Sequence, residues 1–296
     1  MGQTTNKGPI QSLNGFKHVA RSSTTGLYDD FTTLSGRDIR RYVLETYFEH
    51  KLGINIDIDQ VYTVEVARGL SKLHEVLGTN MTTALCTFDT TRGGLTITTA
   101  GADQDQAIIA PHLDTDHSGW AGTLWGTENS TEWECSISTN AIDNQKVWAG
   151  LKLTNDQLIA TDDDQLFFKF QTDATNSEAF DDYTKLHFVH SIGGTDYISV
   201  LPITVAANTT YHLKISIDSD RKATIYVNGV NYNITSTAGS TGGTDVTAVG
   251  RTHGPAKTAA LTDDIDLIPY IGIEAGAAAA EALDVHYQGI SRVIFE

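Results

Sequence analysis

The chain has 296 residues, with 20 Lys plus Arg against 37 Asp plus Glu, for a formal net charge of −17. An acidic chain of this kind offers no basic footprint for nucleic acid and is repelled by an anionic membrane surface. No run approaches the ~18 apolar residues of a membrane-spanning helix. Two cysteines, Cys86 and Cys135, exclude a disulfide framework but leave room for one bridge.

The opening segment, MGQTTNKGPIQSLNGF, lacks the apolar core of a signal peptide, so the expectation is synthesis in a cytoplasm without export. Residues 1–34 are rich in Thr, Ser, Gly and Asn and read as an extended arm. Charge divides the chain: residues 1–80 carry nine basic and nine acidic side chains, whereas 81–296 carry eleven and twenty-eight. Such asymmetry marks two regions with different surroundings.

Residues 35–80 read as a helical docking or oligomerisation region. Ser35 is a good N-cap with Asp38 three residues on. Ile39, Val43 and Tyr47 then recur at helical spacing, and Gly53 is a natural stop. Val66, Leu70, Leu73 and Leu77 suggest a shorter second helix that ends at Gly78. Ile39, Val43, Tyr47, Leu70 and Leu73 are therefore the candidate contacts with a partner or a second copy.

From Thr82 the period becomes two. In TEWECSIS (131–138), Trp133, Cys135 and Ile137 share one face. In VWAGLKLT (147–154), Val147, Ala149, Leu151 and Leu153 do so; in YHLKISID (211–218), Tyr211, Leu213, Ile215 and Ile217. ATIYV (223–227) runs into Asn228–Gly229, the strongest short hairpin signal, since a type I′ turn needs φ > 0 at both positions. Further strands are predicted over 95–98, 108–110, 166–170, 186–192, 197–201, 268–273 and 285–295. About a dozen strands without intervening helices predict an antiparallel β-sandwich over 81–296. Residues 238–262 read as a long Gly/Thr/Ala-rich loop.

Four features could carry chemistry. Glu132 and Glu134 lie two apart on one strand face, but they read as a solvated face rather than the facing carboxylates of a glycosidase. His112, Asp114, Asp116 and His117 have metal-ligand types, but the flanking Pro111 and Ser118–Gly119 read as a surface loop. Asp162, Asp163 and Asp164 offer oxygen ligands to calcium, with a solvated turn as the competing reading. Trp120 and Trp125 in a Gly-rich loop, and Trp148, which alternates away from the apolar face of its strand, are candidate stacking platforms for a sugar ring. Core packing is the alternative for all three. No phosphate-binding loop, dinucleotide fingerprint, Cys-x-x-Cys or nucleophile elbow is present.

The run TTYHLKISIDSDRKATIYVNGVNY (209–232) resembles the concanavalin-like, or laminin-G-like, jelly roll, through Tyr211, His212, Asp218, Tyr226, Val227, Asn228 and Gly229. That resemblance implies a jelly-roll sandwich, in which a loop-rim calcium is common. Five further stretches, 93–115, 147–156, 161–173, 190–200 and 285–295, resemble structural proteins of tailed bacteriophages, especially from marine hosts. The resemblance implies a non-enzymatic virion surface protein, foremost a capsid decoration or cement protein. It would dock on the major capsid protein through its N-terminal region, as a homo-oligomer, commonly a trimer. A glycan-binding tail or fibre appendage that meets host surface glycans is the alternative, and a glycoside hydrolase of the same fold a third.

Overall fold

The computed structural model describes residues 41–48, 53–54, 75–110, 125–154, 156–172, 178, 183–249 and 254–293. The chain divides into two units, Met1–Tyr42 with Val293–Glu296, and Val43–Arg292. The second unit carries the fold.

The described strands in chain order begin with β1 (Arg41–Thr46), β2 (Gly53–Ile54), β3 (Glu75–Leu77), β4 (Cys86–Phe88), β5 (Leu95–Thr98) and β6 (Gln106–Ala110). There follow β7 (Glu132–Thr139), β8 (Gln145–Lys152), β9 (Gln165–Gln171), β10 (Lys185–Ile192), β11 (Thr195–Thr204) and β12 (Tyr211–Ile217). The last are β13 (Ala223–Val227), β14 (Val230–Tyr232), β15 (Thr244–Asp245), β16 (Ile268–Ala275) and β17 (Ala282–Val293). One sheet runs β14-β13-β12-β7-β17-β5-β4, with β1 also on β17; the other runs β15-β11-β10-β9-β8-β16-β6-β3-β2. Neighbours along both paths are antiparallel, except for the short parallel contacts β11–β15 and β2–β3. Two antiparallel sheets wound in this way are the predicted concanavalin-like jelly-roll sandwich.

The alternation read from the sequence builds the core. Trp133, Cys135 and Ile137 of β7 and Leu213, Ile215 and Ile217 of β12 meet Val147, Ala149 and Leu151 of β8 and Leu166, Phe168 and Phe170 of β9. The Asn228–Gly229 turn has φ of 51° and 76°, as a type I′ hairpin requires, and closes the pair Val227↔Val230. A bulge between Val285 and Tyr287 shifts the phase of β17, so that Leu283, Val285 and Ile290 all reach the core. The same shift turns Gln288 inward, opposite Cys135. Neither polar atom of the Gln288 amide, on a side chain only 2% exposed, has a hydrogen-bond partner among the described residues.

One expectation is corrected. The helical region fails where it is described: Arg41–Thr46, Gly53–Ile54 and Glu75–Leu77 are strands. Tyr42 and Val43 are good strand formers, and pairing with β17 outweighs the helical spacing of Val43 and Tyr47. Where it is described, the 238–262 stretch is a loop as expected, held to the sheet through the two-residue β15 and the bridges Tyr197↔Ala238 and Tyr232↔Ala248. Cys86 and Cys135 are both buried and free, so no bridge forms between them. Burial pushes the Cys135 thiol well above its usual range, and the neighbouring Glu134 charge adds to the rise.

Gln288→Met removes two unpartnered polar atoms at nearly constant volume, and is expected to raise stability by about 1 kcal/mol, read as a higher urea midpoint. His190 stacks on Tyr197 with ring centroids 4.6 Å apart, and burial pushes its pKa down to about 3. The unfolded chain therefore binds a proton that the native imidazole refuses, so stability falls as pH drops from about 6.5 towards 3, at up to about 1.4 kcal/mol per pH unit from this group. His190→Phe, with the stacking kept, is expected to flatten that part of the stability–pH curve, measured by urea unfolding across the range.

Candidate functional site

β8 and β9 are buried along their whole length, on both faces. The inner face is the core. The outer face of the nine-stranded sheet forms a second apolar cluster that includes Trp148, Ile159, Phe167, Val189, Ile198 and Tyr270. Strand register orders this face into rows: Glu274–Lys146–Gln171, then Gly272–Trp148–Lys169–His187, then Tyr270–Gly150–Phe167–Val189, then Lys152–Gln165–Ser191.

Two glycines make the aromatic rows possible. A Cβ on Gly272 would lie 2.5 Å from the Trp148 ring, and one on Gly150 would lie 2.3 Å from the Leu166 carbonyl oxygen. The indole therefore lies down over Gly272. Tyr270 sits 6.3 Å from Trp148 and 6.4 Å from Phe167, centroid to centroid. The Lys152 ammonium stands 5.1 Å from the Phe167 centroid and 5.9 Å from that of Tyr270, within cation–π range.

Three lysines lie on a face of an acidic protein, each beside a carboxylate. Lys146 Nζ is 2.5 Å from Glu274 Oε1, and Gln106 Nε2 donates to the other oxygen of that carboxylate at 2.6 Å. Lys169 pairs with Glu178, whose second oxygen accepts the Ile159 N–H. Lys152 Nζ lies 3.6 Å from Asp162. Burial pulls the Lys169 pKa down to about 8 against the opposing Glu178 charge, and burial likewise lowers Lys152 against Asp162. Burial, with the Asp162, Asp156 and Glu178 charges, pushes the Tyr270 phenol well above its usual range.

Not every polar atom on the face is spent. Trp148 Nε1, Tyr270 Oη and Gln165 Oε1 are buried and have no hydrogen-bond partner among the described residues. Gln165 directs its amide nitrogen to the Ile159 carbonyl and, at 2.7 Å, to Ser191 Oγ, which leaves the oxygen over.

The residues singled out from sequence fare unevenly. Trp148 does face away from the core, as its alternation implies, but it is fully buried on the second face rather than exposed. Trp125 is a core residue, 2% exposed, so it offers no stacking platform. Trp120 lies outside the described residues, as do His112, Asp114, Asp116, His117, Ile39, Leu70 and Leu73. Val43 is half-buried in β1, and Tyr47 is 59% exposed with its ring 5.0 Å from that of Tyr287. Glu132 and Glu134 lie on the outer face of the other sheet, bonded to Lys214 and to the Tyr287 hydroxyl.

The acidic triplet is not a calcium site, because its carboxylates diverge. Asp162 accepts from the Leu153 and Thr154 N–H groups and the Thr154 hydroxyl. Asp164 accepts from Gly193 N–H and Thr262 Oγ1, while Asp163 is exposed. No group of three metal-ligating side chains occurs among the described residues.

Sequence reasoning missed Lys146, Lys152, Gln165, Lys169, Tyr270 and Glu274. Their signal was visible in Lys-x-Trp-x-Gly-x-Lys over 146–152 and Gln-x-Phe-x-Lys-x-Gln over 165–171, where the non-core positions of two strands carry cations, amides and aromatics.

No family model and no curated protein matches the chain. Solved structures that resemble it include peanut lectin, with 9% identity over 85% of this chain and 97% of that one, at a TM-score of 0.45. The Bacillus licheniformis beta-glucanase matches with 10% identity over 74% and 92% of the two chains, TM-score 0.44. The family 7 alginate lyase A1-II' matches with 14% identity over 72% and 85%, TM-score 0.41. These are two enzymes and a lectin, and no phage protein stands beside them. The expectation of a virion setting, for the capsid decoration role and for its tail-appendage alternative, is withdrawn, since no comparison indicates a phage structural protein. The helical docking element that supported it is also a set of strands where it is described.

Removing one member of a buried pair leaves the other charge uncompensated. Lys146→Met is expected to cost about 3 kcal/mol, and the double variant Lys146→Met/Glu274→Gln to recover most of that loss, measured by urea unfolding.

Proposed function

We propose that the protein binds carbohydrate on the outer face of the nine-stranded sheet. Trp148, Phe167 and Tyr270 supply an apolar platform for the C–H face of a sugar ring. Lys152, Lys169 and Gln165 supply donors and acceptors around it. The observation that carries this reading is the set of three buried, unpartnered polar atoms, Trp148 Nε1, Tyr270 Oη and Gln165 Oε1, on one face. Buried polar groups are otherwise almost always paired, because leaving one unsatisfied costs about 1–3 kcal/mol. A ligand dense in hydroxyl groups, each both donor and acceptor, matches a set that mixes N–H, O–H and C=O.

Binding rather than hydrolysis fits the carboxylates. Glycosidases need two of them flanking the scissile bond. On this face Glu274, Glu178 and Asp162 are committed to lysines and to amide or backbone donors.

Calorimetric titration with cello-, manno- and laminarihexaose is expected to show binding, with no new reducing ends after prolonged incubation. Tyr270→Phe separates the ligand role from a packing role, since its hydroxyl makes no hydrogen bond among the described residues. The variant is expected to lose affinity about fivefold while its unfolding midpoint stays level or rises. Unchanged affinity in both Tyr270→Phe and Trp148→Phe would exclude this face as the site.

A further inference from the structure

The turn between β8 and β9 lies against the same face, held in an unusual way. The carbonyls of four successive residues are taken by side chains of the sheet. Lys152 Nζ donates to the carbonyls of Asp156 and, at 3.2 Å, Leu158. Lys169 Nζ donates to the Gln157 carbonyl at 2.9 Å and to its side-chain oxygen at 3.2 Å. Gln165 Nε2 donates to the Ile159 carbonyl at 2.5 Å. No backbone ladder joins Asp156–Ile159 to a strand among the described residues. Gln157 and Ile159 point inward and are buried, while Leu158 and Ala160 are exposed. Ile159 packs into the aromatic cluster itself. At the foot of the turn, Asp162 clamps the Leu153 and Thr154 N–H groups, so the segment is tethered at its base and held above by side-chain donors.

A segment read through its carbonyl oxygens, with one apolar side chain on an aromatic platform, is held as a bound ligand is held. We infer that Asp156–Ile159 is a built-in competitor, which occupies the carbohydrate position and is displaced when a glycan binds. The inference rests on the carbohydrate-binding reading and adds two things to it. The site is self-occupied: Ile159 packs in the cluster that holds Trp148, Phe167 and Tyr270, and the segment's carbonyls take the Lys152, Lys169 and Gln165 donors that a sugar would use. The ligand is also neutral. Lys146, Lys152 and Lys169 each already have a carboxylate beside them, and the oxygens that the segment presents to Lys152, Lys169 and Gln165 are uncharged amide oxygens, which sugar hydroxyls can replace one for one. A uronate chain would bring extra negative charge to a face whose cations are already balanced.

Hydrogen–deuterium exchange on the full-length protein tests this, with and without saturating cello-, manno- or laminarihexaose, and with hexaguluronate as the anionic probe. Amides of 157–160 are expected to exchange at least tenfold faster in the neutral complex, while those of β9 and β16 slow. Gln157→Ala, which removes one acceptor from Lys169, is expected to tighten neutral-sugar binding about fivefold. Binding with unchanged or slower exchange at 157–160 would overturn the displacement and leave the carbohydrate site standing. Tighter binding of hexaguluronate than of every neutral sugar would overturn the neutral ligand class. No binding of any probe by wild type or by Gln157→Ala would overturn both the inference and the reading beneath it.

Discussion

The structure depends on the two-sided burial of β8 and β9. A strand at the centre of a sandwich buries one face against the opposite sheet, and its other face normally meets solvent. Here the second face is closed as well. Since side chains alternate, every polar residue placed on that face has to find its partners away from water. The lysine–carboxylate pairs, the Gln165–Ser191 bond and the carbonyls of the β8–β9 turn are the answers to that requirement. Trp148, Tyr270 and Gln165 keep polar atoms that find no partner among the described residues.

Closure of this face and its chemistry have the same origin. Low dielectric strengthens each pair, shifts Lys169 towards neutrality, and makes an unpartnered polar atom costly. A solvated face would keep the same residues as ordinary surface groups. The segment Asp156–Ile159 thus does more than connect two strands, because its carbonyls satisfy donors that burial has cut off from water.

Much of the sandwich is legible in the sequence for simple reasons. Period-two alternation in 131–138, 211–218 and 223–227, with Asn228–Gly229, places strands to within a residue or two of where they form. The stretch Val147–Thr154 shows the limit. Its apolar face was evident, but Trp148 on its other face read as a candidate sugar platform and is fully buried in a second apolar cluster. Arg41–Thr46 misled in the opposite sense, since Val43, at helical spacing from Tyr47, belongs to a strand added beside β17. Asp162–Asp164 looked like one charge cluster, and the backbone sends its carboxylates to three different surroundings.

By itself the sequence determined the fold class, the core faces of the strands in 131–138, 147–154 and 211–218, and the hairpin at Asn228–Gly229. These are local properties, carried by the alternation of neighbouring residues and by the φ values that a tight turn demands. Only the tertiary structure decided which strands lie side by side. Register alone brings Tyr270 of β16, Trp148 of β8 and Phe167 of β9 onto one platform, across more than a hundred residues of chain. The folding back of Asp156–Ile159 likewise depends on donors from two different strands, Lys152 on β8 and Gln165 and Lys169 on β9. A site assembled from cross-strand neighbours has no sequence spacing of its own, because strand order and register set it only once the sheet has formed.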